Sequence, residues 1–369
     1  MNSARSSADE ETDAVRADGA RVRSLLIFKL RYLGDVVLTT PAIRLLRRAC
    51  PTARLTAVVF RGTEDALRHN PHLDAIVTVD RGLIERAGLV ARVRHELDVL
   101  RQLRAARADA SIDFDSGERG AYMARLAGAP TRIGFRYARG VRPWLFTVQV
   151  PVAPALHTVE RNLRLVEQAF GVARTDDHLE LVPGAEADRT AEQWLREHVS
   201  DQRFVIVHPG ARFSFKQWQS EKWGALIDRL QRESGVVVVL AGGPDDGAAI
   251  EAITARAARS PATFTGKTLL EFAALCRRAA AFLGNDSGPA HVAAAAGTRV
   301  VALFGPTDPA VWGPWGDGHQ AVSHRAPEAS GTAACVEGCA CQGLHAIAVE
   351  TVYAAAVRAL AVAEPRVAR

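Results

Sequence analysis

Residues 281–306 read AFLGNDSGPAHVAAAAGTRVVALFGP, and the order of apolar and small residues in this segment indicates the fold class. Its first apolar run, 281–284, predicts a strand, and the small residues of 288–296 predict a helix. A second apolar run, 300–304, predicts another strand, which ends at a Gly-Pro pair. Because a strand, a helix and a strand in this order usually form a parallel pair, the segment indicates an α/β fold with a parallel sheet.

The same alternation extends over most of the chain and divides it in two. Predicted strands and helices alternate between residues 25 and 170, pass a polar linker at 183–188, and resume at Phe204. We therefore expect a disordered leader at 1–20 and two Rossmann-like domains that face a crevice at the carboxyl ends of their strands. The expected boundaries are 21–183 for the first domain, 184–345 for the second, and 346–369 for a final helix that packs back towards the first domain.

Composition and length exclude several classes of protein. The chain has 369 residues, of which 48% are hydrophobic and 24% are charged, as in ordinary soluble domains. It contains neither an apolar run of about 18 residues nor the apolar centre of a secretory signal. Three of its five cysteines lie between residues 335 and 341, which is not a disulfide framework, so we expect a reducing cytoplasm.

Charge is distributed unevenly along the chain. The net charge is −3 over residues 1–20, +12 over 21–175 and −4 over 176–369. So basic a first half indicates an anionic partner, namely nucleic acid, an anionic membrane surface or a phosphorylated substrate. A solvated surface in an arginine-rich chain is the alternative. No helix-turn-helix or aromatic-basic platform is present, so nucleic acid is not expected. Only four cationic positions are lysine, namely Lys29, Lys216, Lys222 and Lys267.

Asp35 is the first candidate for chemistry. It follows Gly34 where the first predicted strand turns into a helix. A carboxylate at the mouth of the sheet could act as a general base towards an acceptor hydroxyl. The alternative is an inert N-cap, which stabilises a helix by about 1 kcal/mol.

Two further segments are typical of anion binding. After the strand that begins at Phe204, Gly210 allows backbone N–H groups to approach a ligand, and Arg212 and Lys216 could neutralise phosphate. In the segment quoted first, Ser287 is expected to cap a helix whose N-terminal N–H groups would suit a diphosphate. A charged surface loop and a plain capped turn are the respective alternatives.

Two groups of residues are weak candidates for metal binding. Asp113 and Asp115 form an Asp-x-Asp pair, which is more often a capped strand end than a metal site. Three cysteines with His345 nearby could form a tetrahedral site, but their spacing differs from the usual Cys-x2-Cys pairs, which favours reduced loop cysteines. These cysteines are Cys335, Cys339 and Cys341.

Taken together, three blocks resemble the ADP-heptose:lipopolysaccharide heptosyltransferases, glycosyltransferase family 9. The first block is Lys29-x4-Gly34-Asp35 with the Thr-Thr-Pro of 39–41. The second is His208-Pro-Gly-Ala-Arg with Lys216-x-Trp218. The third and most specific block is 285–291, with 293–297 and 303–309. The second block is most similar to the heptosyltransferase III-like branch.

The resemblance implies a GT-B fold, with two Rossmann-like domains facing a central cleft. It further implies an inverting, metal-independent transfer of heptose from ADP-L-glycero-D-manno-heptose to the inner-core oligosaccharide of lipopolysaccharide. The domain at 21–183 would bind the acceptor and the domain at 184–345 the nucleotide sugar. A different nucleotide-sugar donor or a protein acceptor on the same fold is the alternative.

The resemblance also assigns roles to individual residues. Asp35 would be the catalytic base, and an acid after the Gly-Gly turn, Asp245 or Asp246, would bind the ribose. The expected donor-binding residues are Gly210, Ala211, Arg212, Lys216, Gly242, Gly243, Asp245, Lys267, Asp286, Ser287, Gly288 and His291. The expected acceptor-binding residues are Lys29, Arg31 and Arg61.

The expected partners follow from the same resemblance. They are the donor ADP-heptose, a lipopolysaccharide core and lipid A acceptor, and the anionic face of the inner membrane. No metal and no cofactor other than the donor substrate is expected. We expect a cytoplasmic monomer that associates peripherally with the inner membrane.

Overall fold

The computed structural model describes residues 17–115, 117–136, 142–323 and 343–361. Its first half contains the strands β1 Ser24–Lys29, β2 Arg54–Phe60, β3 Ala75–Val79, β4 Ala110–Asp113, β5 Thr131–Phe135 and β6 Val148–Val150. They form one parallel sheet in the order β3-β2-β1-β4-β5-β6. The helices are α1 Leu33–Val37, α2 Thr40–Ala49, α3 Arg81–Arg86, α4 Leu89–Ala105, α5 Arg119–Ala127 and α6 Thr158–Phe170.

The second half repeats this topology in the order β12-β11-β10-β7-β8-β9. Its strands are β7 Phe204–His208, β8 Val237–Ala241, β9 Ala262–Phe264, β10 Ala281–Asn285, β11 Val300–Phe304 and β12 Gln320–Ser323. Its helices are α7 Ala185–His198, α8 Ser220–Glu233, α9 Gly247–Thr254, α10 Leu269–Cys276, α11 Gly288–Ala295, α12 Pro309–Trp312 and α13 Val349–Ala361. The predicted α/β fold with two Rossmann-like sheets is confirmed.

The central strands of both sheets are buried on both faces. Every residue of β1, β7, β10 and β11 is buried, as expected for parallel strands that helices cover on each side. In each half the order of strands reverses beside the first strand, between β1 and β4 and between β7 and β10. Such a reversal opens a crevice at the carboxyl ends of the strands, which is where ligands bind in sheets of this kind.

The expected polar linker contains the start of a helix. Residues 185–188 form the first turn of α7, where Glu186 and Asp188 lie at the positive end of the helix dipole. The prediction that residues 185–188 belong to a linker is therefore wrong. The expected boundary at 183/184 falls between α6 and α7 and stays a prediction.

The two ends of the chain differ from expectation. The final helix, α13, packs on the second sheet and on α8, because its apolar side joins the same buried cluster as Leu226 and Leu230. The expectation that it packs back towards the first domain is wrong. Of the expected leader, residues 1–16 lie outside the described residues. Residues 17–20 belong to the first domain, since the N–H of Ala17 donates to the carbonyl of Ala169 at 2.8 Å.

Across the four described ranges, every helix is too short or too polar to cross a bilayer.

Candidate active site

The two halves meet where α1 and α11 begin. A Cβ atom added at Gly34 would lie 2.6 Å from Cδ2 of His291, and one added at Gly288 would lie 3.2 Å from Cβ of Leu33. Contacts this close leave no room for a side chain at Gly34 unless a neighbour moves. The carboxyl edges of the two sheets therefore face each other across a direct contact between these two helices.

Asp35 lies on the first-domain side of this contact, beside a buried lysine. The Nζ atom of Lys29 lies 3.8 Å from Oδ1 of Asp35 and donates a 3.0 Å hydrogen bond to the carbonyl of Phe114. The side chains are 7% exposed for Lys29 and 15% for Asp35. Because the N-cap of α1 is Tyr32, the N-cap alternative for Asp35 is wrong. The Asp35 side chain is thus partly exposed to solvent, whereas its role as a base stays a prediction.

Asp113 and Asp115 support the loops under this site. Asp115 accepts a hydrogen bond from the N–H of Leu30 at 2.5 Å, and Asp113 accepts one from the N–H of Asp115 at 2.8 Å. Burial raises the pKa of both carboxyls, and the charge of Asp115 raises that of Asp113 further. The two aspartates therefore stabilise the end of a strand, which is the alternative to metal binding that the sequence predicts. Within the described ranges, no three His, Cys, Asp or Glu side chains form a group that could hold a metal.

Lys216 and Asp286 form the corresponding pair on the second-domain side. The Nζ atom of Lys216 donates to Oδ2 of Asp286 at 2.6 Å, and the hydroxyl of Thr307 donates to the same oxygen. Asn285 accepts a hydrogen bond from the N–H of Trp218 at 3.2 Å and donates one to the carbonyl of Pro209 at 2.6 Å. These bonds join the loops that follow β7, β10 and β11 into one rigid surface.

The glycine turns after β7 and β8 enclose Asp246. A Cβ atom at Gly210 would lie 2.1 Å from Oδ1 of Asp246, and one at Gly242 would lie 2.9 Å from its Cβ. Oδ2 of Asp246 accepts a hydrogen bond from the N–H of Gly243 at 2.8 Å. Asp245 and Asp246 are the two acids expected as alternatives for binding the ribose. The Asp246 carboxylate is already hydrogen-bonded within the protein, whereas Asp245 is exposed to solvent.

Arg212 reaches across to the first domain. Its guanidinium carbon lies 4.1 Å from the centre of the Tyr32 ring, and that of Arg81 lies 5.3 Å from the same ring. A hydrogen bond from Arg81 and the charges of Arg212 and Arg31 lower the pKa of the Tyr32 hydroxyl, against a smaller opposing effect of burial. Arg212 therefore contributes a cation–π contact between the domains in addition to any role towards phosphate.

The remaining predicted residues lie around this centre. The carbonyl of Ala211 accepts a hydrogen bond from the Gln217 side chain at 2.8 Å, and the guanidinium of Arg31 lies 3.7 Å from Asp115. Ser287 is the N-cap residue of α11, but its hydroxyl donates to the carbonyl of Asn285 at 3.3 Å. The prediction that the Ser287 side chain caps the helix is wrong, because the hydroxyl points back along the chain.

Arg61 and Lys267 follow strand ends but bind to other groups. The Nε atom of Arg61 lies 3.0 Å from Oδ2 of Asp80. The ammonium of Lys267 lies 5.9 Å from the centre of the Phe264 ring, and Lys267 is exposed. The structure places neither residue in contact with the Asp35 and Asp286 side chains. The cysteine cluster 335–341 lies outside the described residues.

His291 is a neutral group between the two pairs. Burial lowers its pKa to about 4, although the nearby carboxylates of Asp286 and Asp35 act in the opposite direction. Its Nδ1 atom has no hydrogen-bond partner among the described residues. At neutral pH this imidazole can therefore donate a hydrogen bond to a bound molecule or accept one from it, but it adds no positive charge.

This burial predicts a pH-dependent stability. The pKa of His291 lies below its ordinary value of about 6.5, so the unfolded chain binds the proton more readily, and stability falls as the pH drops from 6.5 to 4. We expect His291 to account for about 3 kcal/mol of this loss. Urea unfolding of the wild type and of His291→Gln between pH 7 and pH 4 measures it. Parallel pH profiles of the two proteins would contradict the assignment.

Two contact residues were missed from the sequence. Thr307 lies in the block 303–309 that follows β11, so its place after a buried strand was the available signal. Tyr32 lies between Lys29 and Asp35 and thus within the first block. Neither contact is encoded locally, because each partner comes from a distant part of the chain.

Comparison with known proteins identifies the family. Residues 97–341 match glycosyltransferase family 9 (heptosyltransferase). The chain is 32% identical to lipopolysaccharide heptosyltransferase 3 of Escherichia coli K12 over 295 residues, which cover 78% of this chain and 83% of that protein. It is 23% identical to the lipopolysaccharide core heptosyltransferase OpsX of Haemophilus influenzae over 308 residues, which cover 82% and 84% of the two chains.

Solved structures agree on the fold. A family 9 glycosyl transferase from Veillonella parvula superposes with a TM-score of 0.82 at 24% identity, covering 95% of this chain and all of the other. The E. coli ADP-heptose lps heptosyltransferase II superposes with a TM-score of 0.73 at 20% identity, covering 92% and 98%. The predicted GT-B fold and the resemblance are both confirmed. This chain belongs to glycosyltransferase family 9, the heptosyltransferases, and is a glycosyltransferase.

Proposed function

We propose that this protein transfers a heptose from ADP-L-glycero-D-manno-heptose to the inner-core oligosaccharide of lipopolysaccharide, in one inverting step without a metal ion. The relatives named above support the substrate class, and the 32% identity to heptosyltransferase 3 favours the third, branching heptose. The observation that supports this chemistry is the position of two ion pairs. Asp35–Lys29 and Lys216–Asp286 lie on opposite sides of the contact between Gly34 and His291.

Inversion requires one in-line attack and therefore one base. Asp35 would take the proton of the acceptor hydroxyl while that oxygen forms a bond to the anomeric carbon of the heptose. Lys29, 3.8 Å away and almost fully buried, holds the carboxylate in place. No protein nucleophile is needed, because the bond to the leaving phosphate breaks as the new glycosidic bond forms.

The leaving group is ADP, whose diphosphate gains negative charge as the bond breaks. Lys216 is already fixed in the cleft by Asp286, which also accepts a hydrogen bond from Thr307, so no reorganisation is required to present its ammonium. The N-terminus of α11 at Gly288 adds backbone N–H groups and a favourable dipole. Together these groups can supply the charge stabilisation for which other transferases use a divalent cation.

The basic first half suits the acceptor. Lipopolysaccharide core carries phosphate and carboxylate groups, and residues 21–175 have a net charge of +12. In this proposal residues 21–183 bind the acceptor and residues 184–345 bind the donor. Arg31 and Arg61 face the anionic groups of the acceptor, whereas the expected contact of Lys29 with the acceptor is wrong, because its ammonium is buried beside Asp35 and Asp115. The protein works in the cytoplasm as a monomer at the anionic face of the inner membrane.

The deciding experiment combines the purified protein with ADP-heptose and a core acceptor that lacks the branching heptose. We expect ADP release that depends on the acceptor, a product heavier by one heptose, an inverted anomeric configuration by NMR, and unchanged rates in EDTA. A panel of other nucleotide sugars and a protein acceptor serve as controls. Preferred use of one of those would establish the alternative function, and loss of activity in EDTA would contradict metal independence.

A further inference from the structure

Helix α4 has an apolar face that the protein does not cover. Its inner face packs on the first sheet through Val99 and Leu103, which are almost completely buried. Leu89, Val90 and Val93 point the other way and are 73%, 82% and 48% exposed. Leu97, one turn further on, is 46% exposed. A helix on the surface of a globular protein normally carries one apolar stripe, so a second, outward stripe indicates a partner.

Arginines surround this outward stripe. Residues 81–107 contain seven arginines and three acids. Each acid has a cationic partner, since Glu85 pairs with Arg81, Asp98 with Arg101 and Glu96 with Arg119. The exposed Arg86, Arg92 and Arg94 therefore leave an excess of positive charge beside the apolar side chains. A surface that is both apolar and cationic is complementary to an anionic lipid bilayer.

The position of the stripe relates it to the active site. Helix α4 connects β3 to the parallel strand β4, so it begins at the carboxyl edge of the first sheet, the same edge that carries Asp35. The N–H of Asp80, at the end of β3, donates a 2.9 Å hydrogen bond to His95, which fixes α4 against this edge. Asp80 also pairs with Arg61, an expected acceptor residue.

We propose that the outward stripe of α4, formed by Leu89, Val90, Val93 and Leu97, inserts into the interface of an anionic phospholipid bilayer. Arg86, Arg92 and Arg94 bind the lipid headgroups at its border. This inference rests on the proposed function, because a bilayer on this face would present a lipid-anchored acceptor to the edge that carries Asp35. A second copy of the chain fits the face less well, since a two-fold contact would bring these arginines together.

Vesicle binding tests the surface directly. We expect the wild type to sediment with vesicles of phosphatidylcholine and phosphatidylglycerol but poorly with phosphatidylcholine alone. The triple variant Leu89→Gln, Val90→Gln, Val93→Gln is expected to bind anionic vesicles at least 10-fold more weakly. Arg92→Gln with Arg94→Gln is expected to weaken binding and its dependence on salt. The control is Val357→Gln, a 39% exposed valine on α13 in the second half.

Activity assays separate this inference from the proposed function. With a deacylated, water-soluble acceptor the triple variant should match the wild type, and with a vesicle-embedded acceptor it should be slower by at least 10-fold. The inference is overturned if the triple variant binds anionic vesicles as tightly as the wild type does. It is also overturned if the wild type is a dimer and the triple variant is a monomer that binds vesicles without any loss. No wild-type turnover on the soluble acceptor, with vesicle binding intact, instead contradicts the proposed function alone.

Discussion

Asp35→Asn is expected to lower kcat by about 10³-fold while ADP-heptose still binds. The amide has nearly the same shape as the carboxylate but does not accept a proton from the acceptor hydroxyl. The groups proposed to bind the donor lie on the other side of the cleft, on the loops that hold Lys216 and Asp286, so they remain in place. Steady-state kinetics with the core acceptor and calorimetric titration of the donor measure the two effects separately.

The matched control for this variant is Asp65→Asn. Asp65 is a first-domain carboxylate that pairs with Arg68 on the surface, three residues along the chain. Its loss should change kcat little, because its partner is Arg68 rather than a group of the Asp35 pair, and ion pairs near the surface contribute only about 0–1 kcal/mol to stability. A kcat for Asp35→Asn close to that of the control would remove Asp35 from the role of base.

Lys216→Gln is expected to lower kcat/KM by about 10²- to 10³-fold. The variant loses the ammonium that is proposed to face the leaving diphosphate, and it leaves Asp286, a largely buried carboxylate, without its cationic partner. That carboxylate then repels the donor, so both donor affinity and turnover should fall. Titration with ADP and with ADP-heptose, together with steady-state rates, measures the loss.

A double variant separates the two contributions of Lys216. Adding Asp286→Asn to Lys216→Gln removes the unpaired carboxylate, so it should restore part of the ADP affinity but not the rate. Arg256→Gln is the control, because Arg256 pairs with Glu221 on the surface of the same half. If ADP affinity falls equally in the control and in Lys216→Gln, the ammonium has no specific role at the diphosphate.

Apolar runs carried most of the information about the fold. The strands that are buried on both faces, such as β1 and β10, are nearly continuous apolar segments, and the sequence predicts each of them within one residue at either end. The sequence does not predict the edge strands β6, β9 and β12, since each has only three or four residues and none is buried along its whole length. The sequence predicts a linker over the start of helix α7, because the first turn of this helix is polar.

The site was predictable as a set of loops but not as a set of contacts. Parallel topology places the ends of β1, β7, β10 and β11 at facing edges, so the motifs that follow them converge. Which side chains pair is decided by tertiary packing over long sequence distances. The bond from Lys216 to Asp286 spans 70 residues, and the stacking of Arg212 on Tyr32 joins the two halves. No local pattern encodes either contact.

The contact between α1 and α11 also limits how this enzyme can be re-engineered. Chimeras that combine the first half of one relative with the second half of another are a direct way to exchange donor and acceptor specificities. Here such a graft must keep glycine at 34 opposite the imidazole of residue 291. At 288 a larger residue requires Leu33 to move by a few tenths of an ångström, because an added Cβ atom would lie 3.2 Å from that of Leu33. Libraries of such hybrids should therefore vary positions 33, 34, 288 and 291 together. Otherwise the two grafted halves will not pack against each other.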